Sequence, residues 1–75
     1  MSAEYPIYRK SPGGKNYYRI DADDQFTERQ LIGERVYEYK IVARQYPEML
    51  LINALIEMQG YEESTAQEFD QLMAE

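Results

Sequence analysis

Aromatic and basic residues alternate on either side of the turn segment "SPGG" near the start of the chain. If an even number of residues connects two strands here, one face of the hairpin collects Tyr8, Lys10, Lys15, Tyr17 and Arg19. Single-stranded nucleic acids bind where aromatic rings stack on bases and cations follow the phosphate backbone. This face is therefore a candidate nucleic-acid surface. A solvated strand face has the same composition, however, and a net charge of −6 repels nucleic acid at long range.

Two short motifs suggest ligand sites but lack decisive residues. "DADDQF" begins like a calcium-binding EF-hand loop, but counting from Asp21 the sixth position is Phe26 instead of glycine and the twelfth is Ile32 instead of glutamate. "SPGGKN" contains Gly-Gly-Lys without the full phosphate-loop spacing. The chain has no His and no Cys, so the usual zinc ligands are missing. We expect no cofactor and no metal site beyond weak surface binding of calcium at Asp21, Asp23 and Asp24.

The amino-acid composition contains few candidate catalytic residues. General acid–base catalysis usually requires a histidine or a carboxylate in an apolar pocket. The acidic residues instead cluster in polar segments, in "DADD" and at Glu62 and Glu63. No serine or threonine has a histidine to activate it. The sequence therefore predicts no catalytic residue and a non-enzymatic protein.

Chain length, apolar runs and charge limit the number of domains, the compartment and the kind of partner. The 75 residues suffice for one small domain, residues 1–75. The longest apolar run, "MLLI", is far shorter than the ~20 residues of a membrane span, and the N-terminus lacks the apolar run of a signal peptide. We therefore expect a cytoplasmic protein without membrane contact. Residues 48–75 carry seven acids and no base, which favours a solvated helix surface or, alternatively, a basic partner.

The elements that would position these groups begin with strands. "YPIYRK" and "KNYYRI" predict a hairpin whose second face turns Tyr5, Ile7, Tyr18 and Ile20 toward the core. The polar segment 21–25 predicts a loop.

Residues 26–42, "FTERQLIGERVYEYKIV", fit two structures. A type II′ turn at Gly33-Glu34 places Arg29 opposite Glu38 and also aligns apolar pairs across the two strands. A helix would place Gly33 in its interior at a cost of ~1 kcal/mol. We predict the hairpin, with a continuous helix as the alternative.

Two helices follow, at residues 47–59 and 65–74. Pro47 and Gly60 suit the start and stop of the first helix, and Ser64 with Gln67 suggests a capping box for the second. The order of elements predicts an α+β fold, in which a small antiparallel meander sheet of about four strands (two hairpins, residues 5–42) has both C-terminal helices packed on one face.

The 47–59 helix is apolar around almost its whole circumference. Such a helix needs cover on all sides. We expect a homodimer or a protein partner to supply it, with an interface formed by Leu50, Leu51, Leu55 and Met58. The alternative is that the final helix covers this surface alone. The sequence thus predicts a protein-interaction or accessory domain that self-associates through this helix, and the alternative function is nucleic-acid binding through the first hairpin.

Overall fold

The computed structural model describes residues 4–72. Its elements, in chain order, are β1 (Ile7–Lys10), β2 (Asn16–Ala22), β3 (Gln25–Ile32), β4 (Arg35–Val42), α1 (Tyr46–Ile56), β5 (Glu62–Glu63) and α2 (Ala66–Gln71). The strands form one sheet in the order β4-β3-β2-β1-β5, and all neighbouring strands are antiparallel. The predicted α+β class, an antiparallel meander followed by two helices, is confirmed.

The β3–β4 hairpin has the predicted register. Arg29 lies opposite Glu38, and Arg29 Nε donates to Glu38 Oε1 at 2.9 Å. Gly33 has a φ of 63° while Glu34 keeps a negative φ, which is the pattern of a type II′ turn. The helical alternative for this segment is therefore excluded.

The first hairpin also follows the predicted alternation, because Ile7 pairs with Ile20 and Tyr8 with Arg19. Paired residues of antiparallel strands point to the same side of a sheet. We call one side the core face, which carries Ile7, Tyr18, Ile20, Phe26 and Ile41. We call the other side the reverse face, which carries Tyr8, Tyr17, Arg19, Thr27 and Arg29.

The sheet is more extensive than the sequence suggested. Segment 21–25 is not a loop: β2 and β3 meet at a two-residue turn, Asp23-Asp24, with a register shift between Ile20 and Ala22. A fifth strand is also present, because Glu62 and Glu63 pair with β1. This pairing sets both glutamates opposite basic residues of β1, which favours the short ladder.

Helix α1 packs on the core face. The buried apolar cluster joins the sheet to this helix and consists of Tyr18, Ile20, Phe26, Ala43, Ile52 and Leu55. The helix ends at Ile56, before the predicted residue 59, because Met58 adopts a φ of 55°. Met58 N–H then donates to the Leu55 carbonyl and Gln59 N–H to the Ala54 carbonyl, which is a Schellman motif. Met58, not Gly60, thus occupies the left-handed position that stops the helix.

Helix α2 begins one residue later than predicted. Thr65 is its N-cap, and Thr65 Oγ1 accepts a hydrogen bond from Glu68 N–H at 3.1 Å. The sequence "TAQE" fits the capping box as well as "STAQ" does, and Ser64 instead donates from its hydroxyl to Glu68 Oε1 at 3.3 Å. The helix ends at Gln71, and residues 73 and 74 of the predicted helix lie outside the described residues.

The two helices lie on opposite faces of the sheet, whereas we predicted both on one face. The ring of Phe69 lies 5.9 Å from the ring of Tyr8, and the guanidinium group of Arg29 lies 4.4 Å above it. Both partners belong to the reverse face. The cause is β5, since the chain leaves α1 on the core face, joins the β1 edge of the sheet and continues on the other side.

Candidate interaction surface

The first half of α1 exposes apolar side chains on the side that points away from the sheet, and the polar residues Asn53 and Glu57 continue that side toward the helix end. Ile52 and Leu55 face the core, so Tyr46, Met49 and Leu50 project from the rest of the helix. Residues at positions i, i+3 and i+4 are neighbours on a helix surface. These three side chains are 73%, 52% and 49% exposed, respectively. We call them the α1 patch.

The structure divides the four predicted interface residues. Leu50 lies in the α1 patch, and Met58 is exposed at the helix stop. Leu51 is partly buried against the core, and Leu55 is fully buried within it. Leu55 therefore serves the chain's own core and cannot contact a partner. Tyr46 and Met49 were not among the predicted interface residues. The spacing of Met49 from Leu50 already indicated one side of the helix, whereas Tyr46 lay just before the predicted helix start at residue 47.

Arg9 fixes the end of α1. Its Nε donates to the Leu55 carbonyl at 2.8 Å and its Nη2 to the Ile56 carbonyl at 3.3 Å. The last turn of α1 has no basic residue of its own, so a cation from β1 satisfies the terminal carbonyls. Arg9 and the buried side of the helix together hold the α1 patch in one position, which lowers the entropy lost on binding a partner.

A second group of exposed apolar side chains lies on the core face of the β3–β4 hairpin. Ile32, Tyr37 and Tyr39 are all exposed, because α1 does not extend over this part of the sheet. Strand β4 forms the edge of the sheet. Exposed aromatic side chains therefore lie directly beside unpaired backbone groups.

The candidate nucleic-acid residues lie on the reverse face, and α2 engages several of them. Tyr8 packs against Phe69, and Lys10 Nζ lies 3.0 Å from Glu68 Oε2, a contact that raises the pKa of Lys10. The remaining candidates differ in exposure: Arg19 forms an ion pair with Asp21, Tyr17 is half-buried, and Lys15 is exposed. Nucleic-acid binding by this face stays a prediction, with most of its rings and cations already in contact within the chain.

A shallow depression of about 290 Å³ lies on the reverse face beside these residues. Thr27 is buried at its floor and donates to Asp21 Oδ2 at 3.0 Å, while Arg19 Nε donates to Asp21 Oδ1 at 2.6 Å. Lys40 lines the rim. The polar groups of the floor bond to each other, so the depression offers a ligand few free partners.

The carboxylates of the "DADD" segment do not converge. Asp21 bonds to Arg19 and Thr27, whereas Asp23 accepts a hydrogen bond from the Tyr5 hydroxyl, which raises the pKa of Tyr5. Within residues 4–72 no three acidic side chains are grouped so as to hold a metal ion.

Further comparisons add no functional assignment. No helix in the described part of the chain is long and apolar enough to cross a membrane. No protein-family model, curated protein or solved structure matches the sequence.

Proposed function

We propose that this chain is a small, non-enzymatic protein-interaction domain that self-associates through the α1 patch. The observation that supports the proposal is the exposure of Tyr46, Met49 and Leu50 side by side on a helix that is anchored in the core. Contiguous exposed apolar surface on a small domain usually marks an interface.

The patch suits a symmetric helix–helix contact. A two-fold interface places the same surface on both copies, so each apolar side chain is buried twice. Burial of one leucine side chain contributes roughly 1.5–3 kcal/mol. Tyr46 is suited to the rim, because its ring packs while its hydroxyl keeps a contact with water.

Charge gives the proposal a second observable. With a net charge of −6, two copies repel each other, and salt screens that repulsion. Apolar self-association should therefore strengthen as the salt concentration rises. Nucleic-acid binding would weaken instead, because it releases counterions.

Sedimentation equilibrium of the wild-type chain and of Leu50→Glu tests the proposal. The substitution removes one buried leucine from each copy and adds a charge to an apolar contact. We expect the dissociation constant of the α1 contact to rise by at least ~100-fold, because the loss of one leucine from each copy corresponds to roughly 3–6 kcal/mol. Gln67→Glu is the matched control, because it adds the same charge at an exposed position of α2 and should leave the equilibrium almost unchanged.

Two results would count against the proposal. A wild-type mass near 8.9 kDa at high micromolar concentration would end self-association. A wild-type assembly whose average mass Leu50→Glu leaves unchanged would move the interface away from α1. Circular dichroism of each variant verifies that the fold is retained.

A further inference from the structure

The two edges of the sheet are very different. The β5 edge has only two residues, both glutamates, whereas the β4 edge has eight. A short, charged edge discourages pairing with another strand, and a long one presents a row of unpaired N–H and C=O groups. The β4 edge is thus the open edge of this sheet.

The outward backbone groups of β4 can be assigned. Leu31 N–H donates to the Lys15 carbonyl on the β2 side at 2.7 Å, so Leu31 and its partner Val36 do not bond to each other. Backbone groups alternate in direction along a strand. The residues of β4 that direct their N–H and C=O groups away from the sheet are therefore Val36, Glu38, Lys40 and Val42.

We infer that β4 is a second self-association site, which pairs antiparallel with β4 of a second copy and joins two five-stranded sheets into one. The pairing is centred on Tyr39, which lies opposite the same residue of the second copy. It sets Glu38 against Lys40 twice and Val36 against Val42 twice. This site goes beyond the proposed function, because it uses the edge of the sheet and not the α1 patch.

Charge selects this register over its neighbours. Residues with outward backbone groups must pair with each other, so the register can shift only by two residues at a time. Each such shift moves the centre of the pairing by one residue along β4. Centring the pairing on Glu38 sets two glutamates against each other, and centring it on Lys40 sets two lysines against each other. Like charges directly opposite are destabilising, and opposite charges are favourable. The register centred on Tyr39 avoids both clashes and pairs residues 36–42.

The charged and aromatic side chains of this pairing are available for the contact, whereas Val36 is already buried within one chain. The Lys40 side chain has no hydrogen bond or ion pair with any described residue, and Glu38 uses only Oε1 for Arg29. Tyr37, Tyr39 and Val42 are exposed. On the core face the pairing covers Tyr39 with Tyr39, and Tyr37 with Ile41. A lone lysine on an edge strand usually prevents pairing, but here Glu38 lies two residues before Lys40 and makes the edge self-complementary.

Single cysteines test the register directly, because the chain has no cysteine of its own. In this register the Tyr39 pair is not hydrogen-bonded, so its Cα atoms lie about 4.5 Å apart, within the range of a disulfide. Tyr37→Cys is the matched control, since it lies on the same face and the same edge. Its two copies would be roughly 14 Å apart along the paired strands, out of reach of a disulfide.

The experiment measures covalent dimer formation under mild oxidation at low micromolar concentration, on non-reducing gels and by mass. We expect Tyr39→Cys to cross-link at least ~10-fold faster than Tyr37→Cys. Equal rates for the two variants, or rates no higher than those in denaturant, would overturn the inference.

Two further arms separate the edge from the α1 patch and test the charge pairing. Leu50→Glu in the Tyr39→Cys background should leave cross-linking unchanged, and loss of cross-linking there would show that β4 is not an independent site. Lys40→Glu should slow cross-linking several-fold because it sets glutamates against glutamates, while Lys40→Arg should not. An unchanged rate for Lys40→Glu would refute the register.

Discussion

The two helices dock on the two faces of the sheet in different ways. Helix α1 inserts Ile52 and Leu55 into an apolar cluster, as the core-facing side of an amphipathic helix normally does. Helix α2 has a single buried residue, Phe69, whose ring lies within 5.2 Å of the Arg19 guanidinium and 4.4 Å of that of Arg29. A short helix can thus be held on a polar strand face by one aromatic ring between cations.

The helices share one device despite this difference. Neither has a basic residue in its last turn, and in each case an arginine of the sheet donates to the terminal carbonyls. Arg9 serves α1 from the core face. Arg29 serves α2 from the reverse face, with Nη1 at 2.8 Å from the Phe69 carbonyl and 2.6 Å from the Leu72 carbonyl. The sheet therefore supplies the charge that the helices lack.

The largest expected effects come from removing the buried side chain of each helix, which should destabilise the whole fold for α1 but only α2 itself for α2. Leu55→Ala should lower the free energy of unfolding by about 2–5 kcal/mol, because it opens a cavity in the only cluster that joins sheet and helix among the described residues. Phe69→Ala should instead release α2 and leave the core face folded. Urea denaturation measures the first effect, and hydrogen exchange of the α2 and β2 amides measures the second.

The pattern of amide hydrogen exchange in the two variants is the control for this comparison of the helices. If Phe69→Ala abolishes protection in β2 as fully as Leu55→Ala does, the two faces form one cooperative unit. The distinction between the two docking modes would then have no energetic meaning.

The two arginines should differ in the same experiment. Arg29→Met loses both hydrogen bonds to α2 and the stacking on Phe69, and we expect a loss of about 1.5–3 kcal/mol in the free energy of unfolding. Arg9→Met should lose less, because one of its two hydrogen bonds to α1 is long, at 3.3 Å, and its third goes to the adjacent Tyr8 carbonyl, whereas Arg29 also forms an ion pair with Glu38. Denaturant titration compares the two variants. Arg29→Lys is the control that keeps the positive charge but lacks the planar guanidinium group with its several hydrogen-bond donors. A larger loss in the free energy of unfolding for Arg9→Met would show that Arg9, and not Arg29, contributes more to stability.

The local parts of the fold could be predicted from sequence because their evidence is local. The β3–β4 register follows from Arg29 and Glu38, which lie close in sequence and meet across one turn. The exposure of Leu50 follows from helical periodicity beside Asn53 and Glu57. Each of these inferences needs only the spacing within one element or one hairpin.

The placement of α2 could not be predicted in this way. It depends on Glu63 pairing with Arg9, a contact between residues far apart in sequence. The parity of the strands already placed Tyr8, Arg19 and Arg29 on one face, but nothing in the sequence identified Phe69 as the ring that covers them. The predicted N-cap of α2 was wrong by one residue for a simpler reason, because Ser64 and Thr65 both fit the capping box.

Alkaline pH should destabilise both faces, the core face more strongly. Burial, followed by the charge of Glu28, raises the pKa of Tyr18 well above its usual 10.0, so the folded chain holds this proton more tightly than the unfolded chain does. The free energy of unfolding should therefore fall as the pH rises above about 10, by up to ~1.4 kcal/mol per pH unit.

Thermal unfolding of the wild-type chain and Tyr18→Phe between pH 9 and 12 measures this effect, and the substitution should flatten the decline. Lys10 adds a smaller contribution on the reverse face. Glu68 raises its pKa, so its stabilising effect is present below pH 10.5 and is lost as the pH rises through the raised value. A decline that Tyr18→Phe leaves equally steep would place the alkaline sensitivity elsewhere.

The smallest effect concerns how the two helices end. Helix α1 is followed by Met58 with a φ of 55°, whereas α2 is followed by its C-cap Leu72 with a φ of −88°. A non-glycine residue in the left-handed region is strained, and glycine adopts that region freely. Met58→Gly should therefore raise the free energy of unfolding by about 0.5–1 kcal/mol, although it removes an exposed apolar side chain. Met58→Ala removes the same side chain without relieving the strain, so it should give no gain. If the alanine variant is stabilised as much as the glycine variant, the gain comes from the lost side chain and not from the backbone.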